Sequence, residues 1–330
     1  PERSISKENI AYISHNPILY SRCSQHLQKP FPCRRNGILP IRYNTDLPVR
    51  HPLTGPQLQR LAKRVRLSPM PGHGGEELTE SHLRALGCTE PEAAHVVALL
   101  GEEDRLAAYL RRGEKRGLRC LTPVSPRYPA RLTAALGDRA PAALWFAGDL
   151  SLLQTPCLSL VGSRELKGEA RAFARRAGEE MARQGYTLVS GGARGTDREG
   201  QEACLAAGGR VIAVLAAPQG APPVPNLLLC WEDSFDLPFS PARALSRNRI
   251  IHILGEKTLV AQTSPGFGGT WNGTEENLRR GWSPVFFFDD GSPGAQALIE
   301  RGATAVGMSQ LKHLSALFPA QTTFFERYTA

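Results

Sequence analysis

Three short stretches combine glycine, hydroxyl and arginine in the way that anion chemistry requires. The first is Val161-Gly162-Ser163-Arg164, placed between an apolar run and a helical pattern. Gly162 lets backbone approach an anion, Ser163 offers a hydroxyl, and the Arg164 guanidinium can fork onto phosphate oxygens. The bland alternative is a tight turn with an exposed arginine. The second is Ser190-Gly191-Gly192-Ala193-Arg194-Gly195-Thr196-Asp197, with three glycines in six residues. Such a loop can cradle phosphate on its amides, and Asp197 either caps the next helix or touches the ligand. It lacks the lysine of a Walker loop and the spacing of the dinucleotide fingerprint, so neither ATP nor NAD is expected. The third is Ser246-Arg247-Asn248-Arg249, at the start of a helix backed by Ile250 and Ile251. Two arginines around an asparagine suit an anionic chain better than a neutral metabolite, unless they are an exposed cap.

The elements that must position these stretches alternate. Cys157 to Val161 reads as a strand, Gly168 to Gln184 as a helix, Tyr186 to Val189 as a strand, Arg198 to Ala207 as a helix and Arg210 to Leu215 as a strand. Further strands are expected at Leu227 to Trp231, Thr258 to Gln262 and Val285 to Phe288. Further helices are expected at Asn248 to Leu254, Thr274 to Arg280 and Ala295 to Glu300. That rhythm predicts an α/β, Rossmann-like, mostly parallel and doubly wound sheet with helices on both faces. Ligands then sit beyond the carboxyl ends of the strands, where all three stretches fall.

Ahead of this region lies a small all-helical domain over 53–120. Helices are expected at Gln57 to Val65, Ser81 to Leu86, Glu90 to Leu100 and Asp104 to Lys115, with Thr79, Thr89 and Glu103-Asp104 as starts and Gly87, Gly101 and Gly113 as stops. Short helices joined by glycine turns suggest a sterile-alpha-motif or helix-hairpin-helix arrangement, with packing against a neighbouring domain as the plainer role. Residues 1–50 show no periodicity, are punctuated by proline, and read as a disordered basic arm. Residues 1–70 hold twelve Lys or Arg against Glu2, Glu8 and Asp46, which accounts for the whole formal charge of +9. The arm either attracts nucleic acid or is a solvated tail.

Composition excludes several classes. No stretch of about eighteen apolar residues offers a membrane span, and the N-terminus has no compact apolar core of a signal peptide. The seven cysteines are scattered without the close pairs of zinc or redox sites, which fits reduced thiols in the cytosol. No metal and no cofactor is expected.

In order along the chain, Val161-Gly-Ser-Arg, then Gly185-Tyr-Thr-Leu-Val-Ser-Gly-Gly-Ala-Arg-Gly-Thr-Asp, then Gly209-Arg-Val-Ile-Ala-Val-Leu, then Arg247-Asn-Arg-Ile-Ile resemble the DprA (Smf) DNA-processing family. The lead-in Arg127-Tyr128-Pro129 and Leu144-Trp145-Phe146-Ala147-Gly148 resembles it too. The likeness runs over roughly 120–306, within an expected Rossmann-like domain of 121–318. It implies an extended Rossmann fold that binds single-stranded DNA, often as a dimer, and assists loading of the RecA recombinase in natural transformation and recombination, with no catalytic turnover. On that likeness the DNA site comprises Gly162, Ser163, Arg164, Ser190, Gly191, Gly192, Arg247, Asn248 and Arg249. The family's C-terminal winged helix is not read here, and 319–330 is expected to be a tail.

The chain also departs from the pattern. Thr196 stands where the family has Ile, Gln201 where it has His, and Ala261-Gln262 followed by Pro265 to Glu276 replaces an acidic strand end and a Ser-Gly-rich loop. That fourth loop, with Gly268, Gly269, Thr270, Trp271 and Glu275, resembles the loop of the Lonely Guy nucleotide phosphoribohydrolases, and makes such an enzyme or a nucleotide sensor the rival reading. Trp271 within it either stacks on a base or plugs the core.

Overall fold

The computed structural model describes residues 79–319 apart from 101, 102, 124, 219–223 and 233. The basic arm, the Gln57 to Val65 helix and all but the first residue of the tail lie outside the described residues. By backbone contacts the chain divides into two compact units: residues up to Arg116 with Thr122–Ser125 and Pro141–Ala143 in one, and Gly117–Leu121, Pro126–Ala140 and Leu144 onward in the other.

The first unit contains α1 (Glu80–Ala85), α2 (Glu90–Leu100) and α3 (Glu103–Glu114). Thr79 accepts a hydrogen bond from the His82 amide at the start of α1. Thr89 and Glu92 satisfy each other's amides ahead of α2, at 3.0 and 3.4 Å, as a capping box does. Leu83, Ala93 and Val96 are buried between these elements.

The second unit is an α/β domain whose nine-stranded sheet runs β1-β2-β6-β5-β4-β3-β7-β8-β9. The strands are β1 (Leu118–Leu121), β2 (Leu144–Ala147), β3 (Cys157–Val161), β4 (Thr187–Ser190), β5 (Arg210–Val214), β6 (Leu227–Glu232), β7 (Thr258–Val260), β8 (Val285–Phe288) and β9 (Thr304–Val306). From β6 to β9 across the sheet every neighbouring pair is parallel, while β2 joins β6 and β1 joins β2 antiparallel. The fold is therefore the mostly parallel, Rossmann-like sheet that the alternation predicts.

Both faces are covered because each strand alternates its side chains. Val189, Ile212, Val214, Val260 and Phe287 point to one core, while Leu188, Val211, Leu259, Phe286 and Phe288 point to the other. The first core is roofed by α4 (Ala130–Leu136), α8 (Asn248–Leu254), α9 (Gly269–Arg280) and α10 (Pro293–Glu300). The second is roofed by α5 (Gly168–Arg183), by Cys204 on α6 (Thr196–Ala206) and by the 3-10 segment Met308–Ala316. A short α7 (Pro241–Ser246) leads directly into α8. Arg131 of α4 ties α8 down at its far end, donating to the Ile253 and Gly255 carbonyls at 2.8 and 3.0 Å. A cation there complements the negative end of the helix dipole.

Strand order decides where a ligand sits. From β3 the chain moves outward through β4, β5 and β6, then returns to place β7 on the opposite side of β3. The order therefore reverses between β3 and β7, and the loops beyond their carboxyl ends frame the crevice that doubly wound sheets use.

Several boundaries differ from the sequence expectation. Helix α9 begins at Gly269, five residues ahead of Thr274. Leu118–Leu121, at the end of the segment read as helical, is a strand paired to β2. The elements β2, β9, α4 and α7 are short, and no periodicity marked them as regular structure.

Candidate nucleic-acid interface

The first loop leaves β3 at Gly162. The Ser163 amide donates to the Gln262 carbonyl at 2.8 Å, and the Thr270 hydroxyl donates to the Gly162 carbonyl at 2.7 Å. Both contacts come from the segment after β7, so the divergent fourth loop buttresses the first. The Ser163 hydroxyl bonds within its own turn, to Glu165. Arg164 is exposed, and no hydrogen bond or ion pair holds its guanidinium among the described residues.

The second loop abuts the first. A Cβ on Gly195 would lie 2.3 Å from the Ser163 carbonyl oxygen and 2.5 Å from that of Arg164, so only glycine lets the two loops meet this closely. The buried Thr196 bonds the Ser163 carbonyl through its amide at 3.1 Å and its hydroxyl at 3.2 Å. Gln201 reaches the buried Ser190 hydroxyl at 2.5 Å. The two departures from the family pattern in this loop thus serve as polar ties.

Asp197 lies within the first turn of α6, and Gly195 is the N-cap. Its carboxylate accepts from the Ala193 amide at 3.1 Å and is also met by the Gly191 amide. Two amides of the glycine loop are therefore spent inside the loop. Asp197 is buried, and desolvation raises its pKa, offset in part by Arg247, by the two amides and by Arg164. Gly192 and Arg194 remain exposed at the tip.

Arg247 is the residue the sequence reading understates. It is 8% exposed and donates from Nη1 to the carbonyls of Gly191, at 2.5 Å, and Val214. A Cβ on Gly191 would sit 2.3 Å from that nitrogen. The side chain clamps the ends of β4 and β5 together, and Nε bonds the Asn248 side chain at 3.2 Å. Burial lowers its pKa against the pull of Asp197, yet a guanidinium stays charged. Arg247 bonds Gly191 of the second loop, and the same loop abuts the Ser163 and Arg164 backbone at Gly195, so both arginines adjoin that loop at one rim.

Asn248 and Arg249 are occupied as well. The Asn248 amide donates to the Gly269 carbonyl at 3.0 Å, joining α8 to the start of α9. Arg249 pairs with Glu232 at the end of β6 at 2.7 Å and bonds the Ser246 carbonyl at 3.1 Å. The structure thus gathers all nine predicted residues along the carboxyl edge of the sheet, with Arg164 exposed, Arg247 buried, and Asn248 and Arg249 half-buried and bonded within the protein. Arg194 and Lys167 are exposed cations on the same loops that sequence reasoning left out. Their only signal was position beside the glycines.

The alternative nucleotide loop is arranged differently. Gly268 and Gly269 open α9 and the Thr270 hydroxyl is spent on Gly162. Trp271 is 4% exposed in the core, under the Arg301 guanidinium at 5.1 Å, so the plug reading holds. Glu275 lies six residues into the helix, about 9 Å along its axis, and its carboxylate meets Arg301 at 3.4 Å. It does not face the rim.

Comparison with known proteins shows the family and the fold. The sequence profile described as "DNA recombination-mediator protein A" matches residues 119–317, more than half of the chain. The chain belongs to that family. Among curated members of the DNA recombination-mediator family, it is 27% identical over 187 residues to Protein Smf of Synechocystis sp., covering 52% of this chain and 46% of that protein. It is 28% identical over 216 residues to DNA processing protein DprA of Bacillus subtilis, covering 61% of this chain and 71% of that one. The chain therefore spans less than half the length of its Synechocystis relative. Among solved structures of the family, DprA from Streptococcus pneumoniae superposes with a TM-score of 0.64 at 22% identity, covering 81% of this chain and 94% of that one. The Helicobacter pylori protein, described for its single-stranded DNA binding mode, gives 0.50 at 22% identity, covering 60% and 93%. At that identity the superpositions speak for the fold. No helix among the described residues is long and apolar enough to cross a membrane.

Proposed function

We propose that this chain binds single-stranded DNA by its phosphates along the carboxyl rim of the sheet, without chemical turnover, and presents it to a RecA-type recombinase in the cytoplasm. The observation that carries the reading is the pair of exposed guanidinium groups, Arg164 and Arg194, on two loops in contact at the switch point, with Arg247 buried behind them. Guanidinium forks match phosphate oxygens, and exposed ones lose little internal bonding when they turn to a ligand. Gly162, Ser163, Ser190, Gly191 and Gly192 shape the track, and Arg247, Asn248 and Arg249 hold that shape and add positive field. Lys167 extends the same track. The family's DNA-processing relatives and the described DNA binding of the Helicobacter pylori protein support the assignment. A dimer of this chain, presenting two tracks, is part of the proposal.

The reading is tested by anisotropy of a labelled oligo-dT, with nucleoside monophosphates as competitors. The expected result is oligonucleotide affinity that falls with salt at a log–log slope of about −0.7 for each phosphate contacted. Monophosphates should compete poorly. Tight monophosphate binding with release of free base would overturn it in favour of the phosphoribohydrolase reading, in which Glu275 would be the acid or base. Pairing of that carboxylate with Arg301 counts against that alternative.

A further inference from the structure

Trp271, the aromatic available for base stacking on sequence grounds, is in the core, and a different aromatic stands at the rim. Phe267 is 80% exposed, more than any other large apolar side chain among the described residues. It is held there by local structure. Ser264 and Phe267 form an isolated antiparallel bridge around Pro265-Gly266. Gly266 has φ 72°, the left-handed value that the third position of a type II turn demands after proline. Gly268, at φ 95°, then carries the chain into α9.

The base of this turn is fastened to the candidate site. Gln262 accepts from the Ser163 and Lys167 amides at 2.8 and 3.1 Å, Thr270 bonds Gly162, and the Gly269 carbonyl accepts from Asn248. Phe267 is two residues from Gly269, so its Cα is within about 8 Å of that contact. Leu245, 51% exposed, lies at the same helix start: its Cδ2 is 3.7 Å from where a Gly269 Cβ would be.

A turn closed by a bridge that keeps a phenyl ring in water adds nothing to the core, and the apolar area it leaves exposed is free to be buried against a ligand. The turn that carries the ring follows β7 at the crevice between β3 and β7, on a segment hydrogen-bonded at Gln262 and Thr270 to the loop that bears Arg164 and Lys167. Every nucleobase carries a π-face, so one aromatic beside a phosphate track gives sequence-tolerant stacking. We propose that Phe267, with Leu245 at the same helix start, is a stacking platform for a nucleobase of the single strand whose adjacent phosphates lie on Arg164 and Arg194. This rests on the reading of the rim as a single-stranded DNA site.

The test compares oligo-dT with an abasic oligonucleotide of equal length, which keeps the phosphates and removes the bases. Phe267→Ala should bind oligo-dT about tenfold more weakly than wild type and the abasic strand equally well. Phe267→Trp should restore affinity and show quenched indole fluorescence on binding. Phe318→Ala is the control: that ring is also exposed but packs on Lys257, at the amino end of β7, and its loss should change neither affinity. If Phe267→Ala keeps full oligo-dT affinity while Arg164→Ala loses it, the phosphate track stands and the platform falls. If wild type binds neither strand, both fall. If Phe267→Ala leaves oligo-dT affinity intact and instead dissociates a dimer in sedimentation, the ring belongs to an interface between copies and the platform is overturned.

Discussion

Replacing Arg164 by alanine removes an exposed cation with no internal hydrogen bond to forfeit, whereas replacing Arg247 strips a buried clamp from two carbonyls and from Asp197. The two substitutions should therefore separate binding from stability. Arg164→Ala is expected to leave unfolding within about 0.5 kcal/mol of wild type while weakening oligo-dT binding for every sequence and lowering the salt slope by about one phosphate contact. Arg247→Ala should cost about 2–5 kcal/mol in urea denaturation, since the loss leaves the buried Gly191 and Val214 carbonyls without their donor and takes one of the two nearby positive charges from Asp197. Arg247→Lys should not rescue it, because one ammonium cannot replace the Nη1 and Nε donors together. Trp271→Ala, read out the same way, should lose about 3–5 kcal/mol as an aromatic taken from a core, yet keep oligonucleotide affinity wherever the variant is folded. Equal affinity loss in Trp271→Ala and Arg164→Ala would undo that division.

At the scale of elements, the contact between α8 and α9 holds a buried polar network. His252 Nδ1 lies 3.2 Å from the Thr258 hydroxyl and 3.3 Å from the Asn277 amide, which also bonds Ser283. Burial lowers the His252 pKa from 6.5 to about 4. The unfolded chain therefore binds the proton more readily than the folded one, so this contribution is complete above pH 6.5 and fades as pH drops toward 4. It amounts to about 3 kcal/mol, from about 1.4 kcal/mol per unit. Urea midpoints of wild type should fall across that interval, and those of His252→Gln should fall less; parallel curves would remove histidine as the cause. The same contact explains why α9 was only half legible. Glycine at 269 and 273 reads as loop by propensity, but a Cβ on Gly273 would press to 3.2–3.3 Å from Asn248 and His252. Packing decided the element, and packing across 20 residues is not visible in a local window. The parallel strands from β3 to β8 were legible because burial on both faces makes them short apolar runs, whereas the parallel edge strand β9 is only partly buried. Strand β1 was not legible, since only its pairing with β2 makes it a strand and its residues are half exposed.

For the molecule as a whole, the order of glycine and arginine motifs placed the candidate residues at one rim before any coordinate, because a doubly wound sheet sends every such loop there. The division of labour within that rim was not readable: burial separates Arg247 from Arg164, and burial is a property of the assembled fold. Formal charge gives the same lesson. The +9 excess falls in residues 1–70, so on the proposed function the rim would draw phosphates through the placement of Arg164, Lys167 and Arg194 and not through the net charge of the sheet domain. Binding to the native fold alone should stabilise it, by about 2.7 kcal/mol at a free oligonucleotide concentration a hundred times Kd. Thermal unfolding with oligo-dT should shift upward accordingly. A monophosphate at equal phosphate concentration should shift it little, and an equal shift would mean that only a single anion is recognised.

The guanidinium that joins the Gly191 and Val214 carbonyls bridges the ends of two neighbouring strands. Its bonds form when the sheet forms, so the cradle is finished at folding and waits in its final shape. On the proposed function, a strand would then meet a preorganised receptor and forfeit little ordering entropy on arrival. Amide exchange at Gly191 and Ala193 should accordingly be slow in the free protein and scarcely slower in the complex.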